Sequence, residues 1–274
     1  MGGRRLKRGT RLKIKGYLEG FLTGLLEETG RSGIKRGTKT AFRDKCAKGE
    51  YKPFHEALLP ETVIRNQEFE RKFSTRLGSS FEEAARLIAL DSGFAATRGL
   101  KLKGTINAAV FSEIENTVNS LRESGSPQDF YTILRRLKKR NKSGETKSIT
   151  IAVDLFVSKG NREFYFEIKS PKPNKGQCLE VLERLLRIQA TKSFKANVKT
   201  YYAMPYNPFG EKKLDYKHWV SGHLDLDRMV LLGQEFWDFL GGNGTYKELV
   251  SIYAEVGREK GPDIIERLAN GFST

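Results

Sequence analysis

The sequence predicts an α/β fold in which α-helices flank a mixed central β-sheet. Residues 148–169 contain two apolar, β-branched stretches on either side of a short turn, which is typical of a β-hairpin. An amphipathic helical pattern follows at 178–190, and another strand pattern follows at 198–208. Because a strand that returns after a helix lies parallel to its neighbour, the sheet is expected to contain both antiparallel and parallel pairs.

The first part of the chain predicts a basic arm and a helix. Residues 1–16 are rich in Lys and Arg, whereas in 17–29 leucine and phenylalanine recur at helical spacing up to Gly30, a residue type that commonly ends helices. Residues 31–52 are rich in Gly, Lys and Arg and show little periodicity. We therefore expect 1–52 to form a basic N-terminal arm and helix, with a basic loop at 31–52.

Three further helices are predicted before the hairpin. Ser80 and Glu83 have the S-x-x-E spacing of a capping box, so a helix is expected to begin near Phe81. A second helical pattern runs from about 106 to 121. The basic segment FYTILRRLKKR at 130–140 predicts a third helix, which ends in a polar turn.

The turn of the hairpin fixes which residues face each other. If Gly160 and Asn161 are the two loop residues, positions that sum to 321 lie opposite, and Asp154 faces Glu167. Alternation places Lys169 on the same sheet face as Glu167. The hairpin thus predicts two carboxylates and one amine on one face.

Residues 224–274 predict a C-terminal helical layer. Three helical segments are expected there, and the third is opened by Pro262 and closed by Gly271. The chain shows no internal repeat and no low-complexity linker. We therefore expect residues 1–274 to form a single domain.

Composition indicates a globular protein with an anionic partner. The 274 residues are 38% apolar and 30% charged, and the formal net charge of +16 makes nucleic acid the leading partner. No apolar run approaches the roughly 20 residues that cross a bilayer, and the basic start lacks an apolar signal core. We expect a cytoplasmic protein that does not engage a membrane.

Residue spacing disfavours several other chemistries. Cys46 and Cys178 lack CxxC spacing, and the three histidines have no metal-ligand spacing with them, so neither a disulfide framework nor a zinc site is expected. The glycine-containing segments 99–104 and 241–244 lack the Lys-Ser/Thr ending of a phosphate loop. A nucleotide triphosphate is therefore not an expected ligand.

Asp154, Glu167 and Lys169 form the strongest candidate site. Cleavage of a phosphodiester requires a metal that offsets charge on the phosphate and a water placed in line with the leaving oxygen. Mg²⁺ needs only one or two carboxylates besides water and substrate oxygens, and Asp154 and Glu167 can supply them. The Lys169 ammonium can steady the attacking water or the developing charge.

The [DE]xK triplet alone is weak evidence, because it occurs six times in the chain. Only the triplet at Glu167 lies in an alternating strand that follows a strand bearing an acid. The competing interpretation is a solvated sheet face on which Lys169 offsets two acids, at well under about 1 kcal/mol per exposed pair. Asp154 favours a site, because an acid inside so apolar a strand is costly unless it is paired or bound to a metal.

These residues resemble a known nuclease signature. Asp154 followed by Glu167, Ile168 and Lys169 resembles the PD-(D/E)xK motif, although Val153 stands where Pro is common. Mg²⁺ is the cofactor that this resemblance implies.

Longer stretches resemble the TdeIII-like type II restriction endonucleases. They are FERKFSTRLGSSFEEAARLIA at 69–89, EIKSPKPNKGQ at 167–177 and EFWDFLGGNGTY at 235–246. The resemblance implies a restriction-endonuclease-like domain. It also implies a homodimer that cuts both strands of a short palindromic double-stranded DNA site, with a GGNCC-like target.

The resemblance further implies that a Glu on an early helix supports the metal site. Glu82 is preferred to Glu83, because Glu83 has a role in the predicted capping box and Glu82 can point toward the sheet. The competing interpretation is an ordinary acid near a helix N-terminus, where the helix dipole favours negative charge.

Several basic residues are candidates for DNA contact, since Arg can read guanine and Lys mostly holds phosphates. They are Arg71, Lys72, Arg76, Arg135, Arg136, Lys172 and Lys175, together with Lys138, Lys139 and Arg140. For the two lysines on the loop after the triplet, a solvated turn is the competing interpretation. A two-fold target favours a two-fold homodimer.

Two alternatives use the same residues. A structure-selective repair or junction nuclease would cut branched or damaged DNA without a fixed fragment pattern. A non-catalytic DNA-binding protein would carry the three polar residues only as part of a sheet surface.

Overall fold

The computed structural model describes residues 5–31, 61–124, 129–218 and 224–269. The chain divides into two compact units. The first comprises Met1–Thr10 and Phe81–Leu249, and the second comprises Arg11–Ser80 and Val250–Thr274. Most of the predicted basic loop lies outside the described residues, and the organisation as one domain stays a prediction.

Helices make up most of the described chain. In chain order they are α1 (Arg8–Arg31), α2 (Glu61–Asp91), α3 (Ala108–Ser124), α4 (Phe130–Arg140), α5 (Lys175–Thr191), α6 (Leu226–Met229), α7 (Gln234–Gly241) and α8 (Thr245–Ala269). Within the described part, none of these helices is long and apolar enough to cross a membrane.

Five strands form one mixed sheet in the order β1-β2-β3-β4-β5. They are β1 (Ala95–Asn107), β2 (Thr146–Lys159), β3 (Arg162–Ile168), β4 (Val198–Met204) and β5 (Val230–Leu232). The first three strands pair antiparallel, and β3, β4 and β5 pair parallel. The predicted α/β fold with a mixed sheet and flanking helices is confirmed.

The β2–β3 hairpin has the register that its turn predicts. Lys159 pairs with Arg162 and Leu155 pairs with Phe166, so opposing positions sum to 321. Gly160 adopts a φ of +60°, which glycine reaches without a steric penalty. Apolar side chains alternate into the core along β2, and a slip by one residue would expose them, so burial also holds the register.

The core forms around α5 and the sheet. Leu182, Leu185 and Leu186 recur at helical spacing and are buried in a cluster with residues of α3 and α4. A second group of rings surrounds Phe166, whose centroid lies 5.7 Å from that of Phe236 on α7. These contacts hold the ends of β3 and β4 firmly in place.

The helix expected to begin near Phe81 instead begins at Glu61. Ser80 does not cap it, because its hydroxyl donates to the carbonyl three residues earlier in the same helix. Glu83 forms an ion pair with Arg86 rather than closing a capping box. The capping-box prediction is wrong because the preceding segment is itself helical.

Two strands were not predicted. β1 precedes α3, so the helix expected from about 106 starts at Ala108, and β5 lies in a segment expected to be helical. In β1 the leucines at 100 and 102 alternate with exposed Lys101 and Lys103. The glycines and charged residues of β1 interrupt the alternation of apolar and polar residues, so the sequence does not indicate a strand clearly.

The ends of the chain are more helical than expected. The basic arm predicted for 1–16 is helical from Arg8, and α8 continues through Pro262, which was expected to open a separate helix. Within the second unit, Lys15 Nζ lies 2.7 Å from Glu259 Oε1. This contact fixes the turn of α8 just before the proline, where the helix lacks one backbone hydrogen bond.

Candidate active site

The open end of the β2–β3 hairpin brings Asp154, Glu167 and Lys169 together. Lys169 Nζ lies 2.9 Å from Glu167 Oε1 and 3.5 Å from Asp154 Oδ2. The backbone N–H of Ile168 donates to Asp154 Oδ2 at 2.8 Å, which ties the two strands together beyond their last ladder pair. The three charged groups therefore form one cluster, as the alternation predicts.

Glu167 is the most deeply buried member of this cluster. Its side chain is 2% exposed, against 18% for Asp154 and 41% for Lys169. A buried carboxylate is stable only with positive or hydrogen-bonding partners. Besides Lys169, Arg184 on α5 donates to the same Oε1 atom of Glu167 and also reaches Glu180 at 2.8 Å.

The surroundings of Lys169 keep it charged. Burial by itself lowers the pKa of Lys169, but the hydrogen bond to Glu167 and the charges of Asp154 and Glu167 outweigh it and raise the pKa above its usual value. Lys169 is therefore an ammonium at neutral pH. It can donate hydrogen bonds to a water or a phosphate oxygen, and it cannot take a proton from either.

Glu82 on α2 lies beside this cluster. Its Oε2 accepts a hydrogen bond from Arg98 Nε of β1 at 2.7 Å. Burial raises the pKa of Glu82, Arg98 opposes that effect, and the charges of Asp154 and Lys169 also act on it. Glu83 instead pairs with Arg86. Of the two neighbouring acids, Glu82 is therefore the one on which the charges of the cluster act.

The donor set of the cluster fits Mg²⁺. Among the described residues, the hydrogen bonds and ion pairs of these carboxylates all go to Glu167 Oε1 and Asp154 Oδ2. Glu167 Oε2 and Asp154 Oδ1 take part in none of them. The described residues contain no group of three or more His, Cys, Asp or Glu that could hold a metal. The other ligands of Mg²⁺ would then be waters and phosphate oxygens, which is the coordination it favours.

Some of the basic candidates for DNA contact are engaged within the protein. Arg136 Nε lies 3.0 Å from Glu113 of α3. Arg76 forms an ion pair with Glu28 within the second unit. Lys175 donates to a backbone carbonyl at the end of α3. The carboxylate partners partly neutralise the first two cations, and Lys175 secures the start of α5.

Other candidates keep more freedom. Arg71 is exposed in the second unit, whereas Lys72 beside it is half-buried and interacts within the protein. Arg135 of α4 is exposed and donates to the hydroxyl of a neighbouring threonine. Lys172, on the loop after the charged triplet, lies 5.6 Å from the ring centroid of Phe209. Arg71, Arg135 and Lys172 can therefore reach an external anion without breaking an ion pair that the described residues show.

Comparison with known proteins identifies the family. The model of the type II restriction endonuclease HinfI family matches residues 25–257. The chain belongs to the HinfI family of type II restriction endonucleases. The expected enzyme class is thereby confirmed.

Curated relatives of this HinfI-family enzyme agree with that assignment. The type II restriction enzyme HgiCII from Herpetosiphon aurantiacus is 37% identical over 266 residues, which cover 94% of this chain and 97% of HgiCII. HgiBI and HgiEI from the same organism are 36% identical with the same coverage. No solved structure matches. The TdeIII-like resemblance and the PD-(D/E)xK assignment stay predictions.

Sequence reasoning missed two residues of the candidate site, Arg184 and Arg98. Arg184 follows Val181 by three positions and precedes Ile188 by four, so it belongs to the apolar stripe of α5 that faces the sheet. A charge in such a stripe is the signal that could have found it. Arg98 lies in the unpredicted strand β1, so nothing indicated that it would meet Glu82.

Proposed function

We propose that this protein hydrolyses phosphodiester bonds in both strands of a short palindromic double-stranded DNA site, with Mg²⁺ as cofactor. The observation that carries the proposal is the cluster of Asp154, Glu167 and Lys169, in which two carboxylates of different exposure share one ammonium. Membership of a restriction endonuclease family supports the reaction class. The cluster supplies the donor set that this reaction needs.

Each residue of the cluster has a distinct proposed role. Asp154 and Glu167 would hold Mg²⁺, which offsets charge on the scissile phosphate and makes a bound water more acidic. Arg184 holds the Glu167 carboxylate in one orientation through its hydrogen bond to Oε1. Lys169 donates hydrogen bonds to the attacking water or to a phosphate oxygen, which stabilises the charge that develops as the bond breaks.

Glu82 is the fourth proposed catalytic residue. It lies beside the cluster, and Arg98 fixes its carboxylate through a hydrogen bond. A carboxylate in that position supports the metal site by orienting water or by adding negative charge. We prefer Glu82 to Glu83 because the charges of Asp154 and Lys169 act on Glu82, whereas Glu83 pairs with Arg86.

The DNA partner and the assembly follow from symmetry and charge. A palindromic target has two equivalent halves, so we propose a two-fold homodimer that presents one cluster to each strand. The GGNCC-like target rests on the TdeIII-like resemblance alone. Arg71, Arg135 and Lys172 are the proposed DNA contacts with the fewest internal partners.

Plasmid cleavage tests the proposal. We expect discrete bands with Mg²⁺, no cleavage in EDTA, and loss of cleavage with retained DNA binding in Asp154→Asn. The matched control is Glu145→Ala, which removes an exposed acid from another ExK triplet and should cut like the wild type. Cleavage in EDTA, or full activity of Asp154→Asn, would refute the site.

Two further measurements test the finer statements. Sequencing the ends of the plasmid fragments gives the target, and ends that share no GGNCC-like sequence would refute that part. Sedimentation of the DNA complex gives the number of chains, and one chain per cleaved site would refute the homodimer.

A further inference from the structure

A cavity of about 330 Å³ lies on the first unit, along the outer edge of β4. β5 pairs with β4 only from Tyr202 onward, so the edge at Val198–Tyr201 has no strand beside it among the described residues. Glu167 pairs with Tyr202, whereas the cavity reaches back to Val198, about 13 Å along the strand. None of Asp154, Glu167 and Lys169 lines this cavity, so it is a different site from the Asp154 cluster, although its near end lies next to Tyr202.

The lining of this cavity contains five cations and no carboxylate. They are Arg135, Lys138, Lys195, Lys199 and Arg228. Arg228 pairs with Asp129 at 3.0 Å, but in the described part of the chain the other four come within ion-pair distance of no carboxylate. A concave surface with one sign of charge raises the local concentration of the opposite ion, so this cavity favours an anion.

Two tyrosines line the cavity among the cations. Tyr131 is 38% exposed, and Lys199 Nζ and the Arg228 guanidinium lie over its ring, 5.5 and 4.8 Å from the centroid. Tyr201 is half-buried and stacks on Phe166 at 5.7 Å. Aromatic rings beside mobile cationic side chains are suited to a base that carries a phosphate, because the base can lie against a ring while the cations contact the phosphate.

The cavity wall is held in place by buried contacts. Gln189 is 3% exposed, and its Nε2 donates to the backbone carbonyl of Val198 at 3.2 Å. Ser193 and Phe194 have φ values of 55° and 53°, and they are the only non-glycine residues with positive φ in the described part. Such strain persists only where the surrounding packing enforces it, so the wall next to Phe194 is preformed.

We infer that this cavity binds a single nucleotide, with the base on Tyr131 and Tyr201 and the phosphate on Arg135 and Lys138. A base inside a duplex is stacked on its neighbours and cannot lie on a side-chain ring. The nucleotide therefore comes from an unpaired or terminal position of a DNA strand, and in that respect the inference rests on the proposed function. The same face of a second copy of this chain is a poor occupant, because it would bring the same five cations to the cavity.

Fluorescence of 2-aminopurine tests the inference with the full-length wild-type protein in EDTA, where cleavage plays no part. The probes are 2-aminopurine deoxyriboside 5′-monophosphate, a single-stranded octanucleotide that contains 2-aminopurine, and the same strand in a blunt duplex. We expect quenching of the first two and little quenching of the duplex. Quenching of the duplex that equals that of the single strand would overturn the inference in favour of a groove contact.

Matched variants locate the binding. The double variant Arg135→Gln, Lys138→Gln should weaken binding of the mononucleotide at least about tenfold, because two cations that would face the phosphate are removed. The control Lys101→Gln, Lys103→Gln removes the same charge from the exposed face of β1. This control should change the affinity for the mononucleotide less than about twofold. Equal weakening in both pairs would overturn the inference.

Two additional measurements separate a nucleotide site from a simple anion site. Tyr131→Ala should abolish quenching while leaving the melting temperature within a few degrees, since Tyr131 is exposed. Inorganic phosphate should compete much more weakly than the mononucleotide, and equal competition would overturn the base contact. These results do not depend on plasmid cleavage, so failure here leaves the proposed function intact.

Discussion

Arg184 determines how the buried carboxylate of Glu167 is held. Arg184 and Lys169 both bind Oε1 of a side chain that is 2% exposed. Arg184→Gln should lower the free energy of unfolding by about 1–3 kcal/mol, because a buried charge is left with one cation instead of two. Urea denaturation measures the change.

A substitution of Glu180, the other partner of Arg184, provides the control for Arg184→Gln. Glu180→Gln removes only a 63% exposed carboxylate from Arg184, so its effect should stay below about 0.5 kcal/mol. Arg184→Lys should recover part of the stability that Arg184→Gln removes. Equal destabilisation by Arg184→Gln and Glu180→Gln would show that the contact with Glu167 contributes nothing.

Lys169 is expected to act in the chemical step. Lys169→Ala should lower the single-turnover cleavage rate by orders of magnitude and change DNA affinity little, because the ammonium acts on charge that develops in the transition state. Rapid-quench assays at saturating Mg²⁺ measure the rate. Lys147→Ala, in another ExK triplet, is the control, and a Lys169 variant that cuts at the wild-type rate would remove Lys169 from the mechanism.

A residue of the site can be predicted from the sequence when its contacts lie close to it along the chain. Asp154, Glu167 and Lys169 lie on one hairpin, where a two-residue turn and alternation of period two fix their relative positions. Arg184 and Arg98 reach the site from other elements, and no period in the sequence connects them to it. Their contacts depend on how α5 and β1 pack.

At the scale of elements, the hairpin turn controls the alignment of the acids. Gly160 has a φ of +60°, and a Cβ there would meet nothing within 4 Å, so Gly160→Ala strains only the backbone. It should destabilise the protein by about 1–2 kcal/mol, as a left-handed residue does. Gly78→Ala, within α2 and equally open, should stabilise by about 0.5–1 kcal/mol. Thermal unfolding of both variants checks the opposite signs.

The elements that were predicted are those with a long, uniform pattern. α5 and the two hairpin strands show clear periods, and their structures follow them. β5 has three residues, too few for a period to emerge. At Ser80 a local motif competed with a longer helical context, and the context prevailed because the hydroxyl can bond within the helix.

At the scale of the whole molecule, the chain has 49 Lys and Arg against 33 Asp and Glu, a net charge of +16, so cations would remain in excess even if every acid paired with one of them. Residues 1–50 carry 14 basic and five acidic residues, whereas 224–274 carry five basic and nine acidic residues. A phosphate backbone therefore interacts most favourably with the N-terminal part of the chain. The cations there without carboxylate partners should set the salt dependence of DNA binding.

Arg8 and Lys13 test this expectation, because both are exposed on α1. Deleting the N-terminal residues would be a poor test, since Leu6 is buried and its N–H donates to Glu248 at 2.7 Å. Replacing Arg8 and Lys13 by Gln instead keeps that packing. In Mg²⁺-free buffer, the slope of log K against log salt should become shallower by about 0.9 for each DNA phosphate that the variant no longer neutralises.

The pair Lys101→Gln, Lys103→Gln removes the same charge from β1 and serves as the control for the N-terminal pair. If only the overall field mattered, both pairs would lower the affinity at low salt to the same extent and leave the slopes alike, because the net charge falls by two in each. A shallower slope confined to the N-terminal pair means that α1 releases counterions from DNA, whereas an unchanged slope means that α1 does not touch phosphates.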